Sequence, residues 1–322
     1  YEPRQNFSSM LRIGGLKIFV DSGDRGQKFL TDPYQDNPGY YGEVYFTQAE
    51  LDELVRETHQ RGFQIAAHTG GDAAHDLILS AYEKALSGEP NALYRHRIEH
   101  VMILRDDQLE TMRRLGILAS FQLSWFHSDW AEEFETTLGE ERLPWVGRWR
   151  DLLDAGVPSI GSTDHPWGYG TPGPSMKAIY QAVTRIGEQG LPPPLWMSDQ
   201  RISAEQALRL LTIDAAYGTF QEDVKGSISV GKLADLVVLS ESPLAVAPER
   251  IPEVEVLLTI VGGRSEHCLV YTFLCGGSPA SNHVSVRALG EDPVLQGQLA
   301  TSATGVRRAG SPSPRESIPT KA

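Results

Sequence analysis

The sequence predicts an α/β protein organised around a parallel β-sheet. Three observations carry this. Short apolar runs alternate with amphipathic helical patterns five times between Leu16 and about Arg185, and such alternation implies parallel strands joined by helical crossovers. No G-x-x-x-x-G-K-[ST] occurs, and the single G-x-G-x-x-G, "GYGTPG" at 168–173, does not directly follow the strand pattern "VPSIGS", so a nucleotide-binding open sheet lacks its usual support. After about residue 222 the pattern turns to strands punctuated by turns, without helices. Five units fit either an open doubly wound sheet or part of a (β/α)8 barrel.

The first unit pairs "LKIFVD", a strand that reads as buried, with "TQAELDELVRETHQRG". In that helix Leu51, Leu54 and Val55 share one face, Thr47 with Glu50 forms a capping box, and Gly62 ends the helix. "FQIAAHT" leads to "AAHDLILSAYEKALSG", "HRIEHVMIL" to "DDQLETMRRLG", and "ILASFQLSWF" to "PWVGRWRDLLDAG". The last unit is "VPSIGSTDHPW" with "PSMKAIYQAVTRIG". A further helix, "SAEQALRLLTIDAAYG", is capped by Ser203 with Gln206 three residues on. The expected organisation is an α/β domain over 1–222, a small β-structure over 223–275, and a Ser/Pro/Gly/Ala-rich tail over 276–322 that is expected to be disordered.

Charge and composition exclude several functions. Of 322 residues, 40% are hydrophobic and 22% charged, as in a globular protein, and no apolar run reaches membrane-spanning length. A net charge of −13 disfavours a nucleic-acid partner. The start, "YEPRQNFSSML", shows no basic region followed by an apolar run, so no secretory signal is expected. Cys268 and Cys275 are too few for a disulfide scaffold or a zinc cluster, and a reducing, cytoplasmic location is the expectation.

Side chains alternate along a strand. Leu16, Ile18 and Val20 therefore share one face, and Lys17, Phe19 and Asp21 the other. In a barrel the mixed face looks inward, where barrel enzymes do chemistry. The ends of the other strands carry His68, His100 (with Ile98 and His96 on its face) and Asp164 (with Ser162). Histidine and carboxylate are the ligands of catalytic zinc sites, which keep a position open for water, and bound water becomes a nucleophile near neutral pH. A buried lysine loses its proton readily and can take up CO2 as a carbamate able to bridge two metals. Each residue alone has an ordinary explanation. A strand lysine usually lies on an edge or beside a carboxylate, a strand-end histidine is usually just hydrogen-bonded, and Asp164 can serve a turn. Four such residues at one end of successive strands are harder to explain by accident. His127, His165, Trp125 and Asp72 are placed near the same rim, together with the long loops 24–46 and 124–144. His59 and His75 are assigned to helix packing or solvent, and His267 and His283 lie beyond the expected folded region.

The ordered pieces "LKIFVDSG", "AAHTGGDAAHD", "RHRIEH", "GSTDHPW", "SAEQALRLLTIDAAYGT", "GSISVGKLADLVVLSESPL" and "LLTIVGGR" resemble the amidohydrolase superfamily, in its amidohydrolase 3 branch of YtcJ-like metal-dependent hydrolases. The resemblance spans about Gly15 to Arg264. It implies the C-terminal part of a TIM-like (β/α)8 barrel plus part of a small β-sandwich. It implies that Lys17 is a bridging, carboxylated lysine, and that His68 and His100 ligate a divalent metal, with one or two zinc ions the expectation. It implies that Asp164 is a metal-bound carboxylate and proton carrier. The implied reaction is hydrolysis of non-peptide C–N bonds, such as amides and formamides, in a small-molecule substrate. The family's first strand carries a His-x-His pair, and this sequence contains none. Its first strand corresponds to the family's fourth of eight. The alternatives are an inactive remnant that keeps part of the metal site, and an unrelated lyase or aldolase using Lys17 as a Schiff-base amine.

Overall fold

The protein is described by a computed structural model for residues 2–4, 6–8, 11–24, 26–164 and 175–269. All of these lie in one compact unit, Tyr1–Cys275. The expected disordered tail, His165 and His283 lie outside the described residues.

Five strands, β1 (Gly15–Phe19), β2 (Gln64–Thr69), β3 (Arg97–His100), β4 (Leu118–Gln122) and β5 (Ser159–Ser162), form one sheet in chain order. Every neighbouring pair is parallel. Between them run α1 (Gln48–Gln60), α2 (Asp72–Leu86), α3 (Asp106–Leu115), α4 (Ala131–Leu138) and α5 (Trp149–Asp154). Helices α6 (Ser175–Thr184), α7 (Leu195–Ser198), α8 (Ala204–Leu211) and α9 (Ile213–Gly218) follow, and α8 and α9 pack on β5. The two predicted capping boxes form. The Thr47 amide donates to Glu50 Oε2 at 2.9 Å, and the Ser203 amide donates to Gln206 Oε1 at 2.8 Å. Helix α4 is an addition, since its segment reads as loop in the sequence.

The sheet has two unlike faces. Ile65, Ala67, Ile98, Ala119 and Phe121 join Leu51, Val55, Ile78, Tyr82, Met112 and Trp149 in one apolar core with the helices. Lys17, His68, Glu99, Ser120 and Gln122 belong to the other set. A parallel strand packed by apolar layers on both sides reads as a continuous hydrophobic run. These strands do not, because their second face carries polar side chains.

The strand "LKIFVD" reads as buried in the sequence, and only its end is, with Val20 and Asp21 both 0% exposed. In the fold β1 is an edge, with Leu16 41% and Phe19 50% exposed. Only Ile18 and Val20 reach the core. The apolar run mimics a central strand, but among the described residues nothing pairs on its outer side.

A second sheet, β6 (Leu236–Leu239), β7 (Val256–Val261) and β8 (Arg264–Cys268), is antiparallel in the order β6-β7-β8. His267 sits in β8, inside the folded part and not beyond it. Cys268 is disulfide-bonded, a pairing the cysteine count alone did not suggest. Among the described residues no helix is long and apolar enough to cross a membrane.

Candidate metal and catalytic site

His68 ends the inner row of β2 and is 3% exposed; His100 ends β3 and is 4% exposed. Their ring centroids are 4.5 Å apart, edge to face. Phe19 stacks on His68 at 4.8 Å, and Trp125 stacks on His100 at 5.1 Å. Two imidazoles are thus enclosed between two aromatic rings.

His100 arrives there by a route that strand periodicity does not anticipate. Strict alternation places His96, Ile98 and His100 on one face, and His96 and Ile98 do lie on the helix side, Ile98 in the apolar core and His96 bonded to the Ile65 amide. The residue facing the other way in mid-strand is Glu99. His100 then has φ 76° and Val101 φ 49°. This left-handed step reverses the alternation and turns the imidazole towards His68. For residues with a side chain such a conformation costs on the order of 1–3 kcal/mol, and it persists where the surroundings over-determine it.

Both ring nitrogens of His68 and Nδ1 of His100 are buried without a hydrogen-bond partner. Burial pushes His68 down to about 2; the neighbouring His100 and Lys17 add to the effect, and the nearby Ser22 backbone opposes it. Burial likewise pushes His100 down to about 3, helped by Lys17 and opposed by the Gln122 amide. Both rings are therefore neutral, the form in which imidazole binds a metal ion. Buried polar atoms normally have partners, and a neutral imidazole has one lone-pair nitrogen, so each of the two rings can offer one nitrogen to a cation. Among the described residues, no group of three or more His, Cys, Asp or Glu is gathered to hold one unaided. The two histidines fit as part of a metal site.

Lys17 is exposed along the open edge of β1, yet its pKa is lowered. Burial of the amine is the larger cause; Glu99 and Asp164 oppose it and Arg97 reinforces it. Among the described residues Lys17 lies on the outer strand of the sheet, with the Glu99 and Asp164 carboxylates acting on its amine. Asp164, half-buried at φ 55°, is raised by burial, lowered by Lys17 and raised by Glu99. Lys17, Glu99 and Asp164 therefore share one electrostatic environment. Glu99 is 8% exposed, and its Oε1 accepts from Arg97 Nε at 2.5 Å. Burial raises the Glu99 pKa, but Arg97 and Lys17 outweigh it and leave the carboxylate lowered.

Loops complete the surroundings. The Asp21 carboxylate, fully buried, accepts from Gly70 N at 2.8 Å, Gly71 N at 2.8 Å and Phe29 N at 3.0 Å. Its Oδ1 lies 4.0 Å from His68 Nε2. Lys28, 3% exposed, lies 3.5 Å from Glu133 Oε1 and lowers the pKa of both histidines. The two long loops bond to each other: Gln35 N donates to Thr137 O at 2.9 Å, and Arg142 donates to Asp32 O and Pro33 O at 3.1 and 3.0 Å. Gln122 Nε2 donates to Ser162 Oγ at 3.2 Å.

Glu99, Asp21, Gln122 and Lys28 received no role from the sequence pattern. Glu99 was legible, since the alternation read along Lys17, Phe19 and Asp21 places it inward when applied to Arg97-Ile98-Glu99; Lys28 carries no local signal. Asp72, considered as a cap or a pocket residue, opens α2 and accepts from Thr31 N at 3.1 Å and Arg105 Nη1 at 2.8 Å, so it joins loops instead. His127 is buried 3.7 Å from Asp129 Oδ2. His59 and His75 are buried in helix packing. A cavity of about 500 Å³ between α9 and β6, lined by Leu211, Ala215, Ile228 and Leu236 among others, includes none of the rim residues.

The chain spans about half the length of the curated relatives it matches. It is 33% identical over 261 residues to N-substituted formamide deformylase of Arthrobacter pascens, covering 80% of this chain and 46% of that protein. It is 28% identical over 256 residues to the putative amidohydrolase YtcJ of Bacillus subtilis (strain 168), covering 79% of this chain and 47% of that protein. Among solved structures, an uncharacterized metal-dependent hydrolase from Pyrococcus horikoshii OT3 matches with TM-score 0.66 and 29% identity, over 77% of this chain and 48% of that one. One from Pyrococcus furiosus matches with TM-score 0.63 and 33% identity, over 76% and 47%. The sequence profile of the Amidohydrolase family matches residues 2–266, nearly all of the described residues, and the chain belongs to that family.

Proposed function

We propose that this chain carries the C-terminal part of a metal-dependent hydrolase that acts on non-peptide C–N bonds of a small molecule, with no nucleic-acid partner. The observation that carries the reading is the enclosed His68–His100 pair, neutral and with three ring nitrogens unpartnered. His68 and His100 would hold the metal, with Asp164 as a carboxylate ligand and Lys17 as a carbamate bridge. Neutral nitrogen and carboxylate donors suit zinc. When bound, the metal supplies Lewis acidity to a water and to the scissile carbonyl. Asp164 takes the proton from the attacking water and passes it to the leaving nitrogen. A carboxyl whose pKa is raised by burial suits that two-way traffic. Trp125 and Phe19 exclude water from the imidazoles and offer apolar surface to the substrate. The relatives described as a formamide deformylase and as metal-dependent hydrolases support the reaction class.

Elemental analysis of the purified chain tests the reading. One or two equivalents of zinc, lost in His68→Ala and His100→Ala, is the expected result. A chain that takes up no divalent metal would overturn it and favour the remnant, in which only part of the site survives.

A further inference from the structure

We propose that Asp21 is a positioning residue for His68: its carboxylate staples the segment after β1 to the turn after β2, and so sets where the imidazole sits. Only the metal-affinity consequence rests on the function proposed above. Val20 N donates to His68 O at 3.1 Å, which brings Asp21 level with Gly70. Oδ1 accepts from Gly70 N; Oδ2 accepts from Gly71 N and from Phe29 N. Gly70 and Gly71 directly follow His68-Thr69, so two of the three bonds fix the backbone leaving the histidine. The third fixes the loop that returns over it.

The packing leaves this arrangement little room. A Cβ on Gly71 would overlap Phe29 O, and one on Gly70 would stand 2.8 Å from Lys28 Cγ and 3.4 Å from Asp21 Oδ2. A Cβ on Gly23, two residues past Asp21, would meet His68 Cε1 at 3.2 Å. The Asp21-Ser22-Gly23 segment therefore bears on the ring itself, while the Gly70-Gly71 turn holds its backbone. The 4.0 Å between Asp21 Oδ1 and His68 Nε2 is too long for a hydrogen bond. Asp21 thus acts through the backbone it holds. Burial pushes the Asp21 carboxyl up to about 6, and the three amides together with Lys28 oppose that shift only in part.

The test is Asp21→Asn in the full chain. An asparagine presents an N–H₂ where an oxygen stood, so at least one of the three amides loses its acceptor. In a variant whose far-UV spectrum is unchanged, amide exchange at Gly70 and Gly71 should speed up about tenfold or more, and the His68 ring-nitrogen resonances should shift. Zn²⁺ should bind about 10- to 100-fold more weakly. Tyr34→Phe removes the hydroxyl bond to Lys28 O in the same loop and should leave the His68 signals in place. Unchanged His68 signals and unchanged Gly70 and Gly71 exchange in Asp21→Asn would overturn the proposal. So would an equal effect from Tyr34→Phe, which would mean general loosening of the loop. If the wild type binds no Zn²⁺, the metal reading fails, and the His68 signals still decide the role of Asp21. If Asp21→Asn does not fold, exchange in the wild type decides: open-loop rates at Gly70 and Gly71 would refute the staple.

Discussion

Mild acid should destabilise this chain through a histidine outside the candidate site. His96 Nδ1 accepts from the Ile65 amide at 3.1 Å, so that nitrogen carries no proton. Its Nε2 faces His59 Nδ1 at 3.0 Å and must be the donor. Both rings are neutral, and protonating His96 would set an N–H against a backbone N–H. Burial pushes His96 down to about 3, with His59 adding to it; burial also lowers His59, with Glu89 opposing. An unfolded histidine titrates near ~6.5. Between those values the unfolded chain holds a proton that the folded chain lacks, so stability is intact above about pH 6.5 and falls as the pH drops towards 3. The slope is about 1.4 kcal/mol per pH unit for one proton, so at about pH 5.5 this one residue removes about 1.4 kcal/mol. That is a sizeable part of the roughly 5–15 kcal/mol a domain has. Urea unfolding at about pH 7.5, 6.5 and 5.5 measures it, with His96→Gln as comparison. The substitution should lower stability at the highest pH yet flatten the acid slope by about one proton. Other depressed histidines steepen the wild-type slope, but they cancel in the difference. Parallel slopes for the two proteins would refute the reasoning.

Two further outcomes test the packing. Gly71→Ala meets no backbone penalty at φ −91°, yet its Cβ would overlap Phe29 O; the loop must move, at a cost of about 1–3 kcal/mol, readable as a lower melting temperature together with faster amide exchange at Phe29, and an unchanged melt would show that the loop gives way freely. Trp149→Ala empties a fully buried site stacked with Phe121 at 5.7 Å and with the Arg185 guanidinium 3.7 Å above its ring; urea unfolding should show a loss of about 3–5 kcal/mol, and a loss under about 1 kcal/mol would mean that the tryptophan is not part of the cooperative core.

Much of the scaffold was legible in the sequence because its causes are local. The order of strands and helices follows from apolar periodicity, and the α1 and α8 starts follow from Thr47-Glu50 and Ser203-Gln206, whose partners lie three residues apart. His68 could be placed because β2 keeps strict alternation. His100 was named at the right rim for an incomplete reason: alternation alone sends it towards the helices, and the left-handed step at His100 and Val101 brings it back. That step is held by contacts with Trp125 and His68, which are far away in sequence. That β1 lies at the edge of the described sheet is likewise a matter of which strands stand beside it, which an apolar run does not record.

The sequence by itself determined which side chains are available: two histidines at strand ends, an aspartate just past one and a lysine within β1, in an order that marks the family. The tertiary structure alone decided which atoms are free to use it. The ring nitrogens of His68 and Nδ1 of His100 are unpartnered because distant side chains bury them without bonding them. Asp21 is committed to three amides that the chain brings to it from as far as 50 residues away. Hydrogen bonds of that kind depend on distances in space, and a one-dimensional pattern carries no record of them.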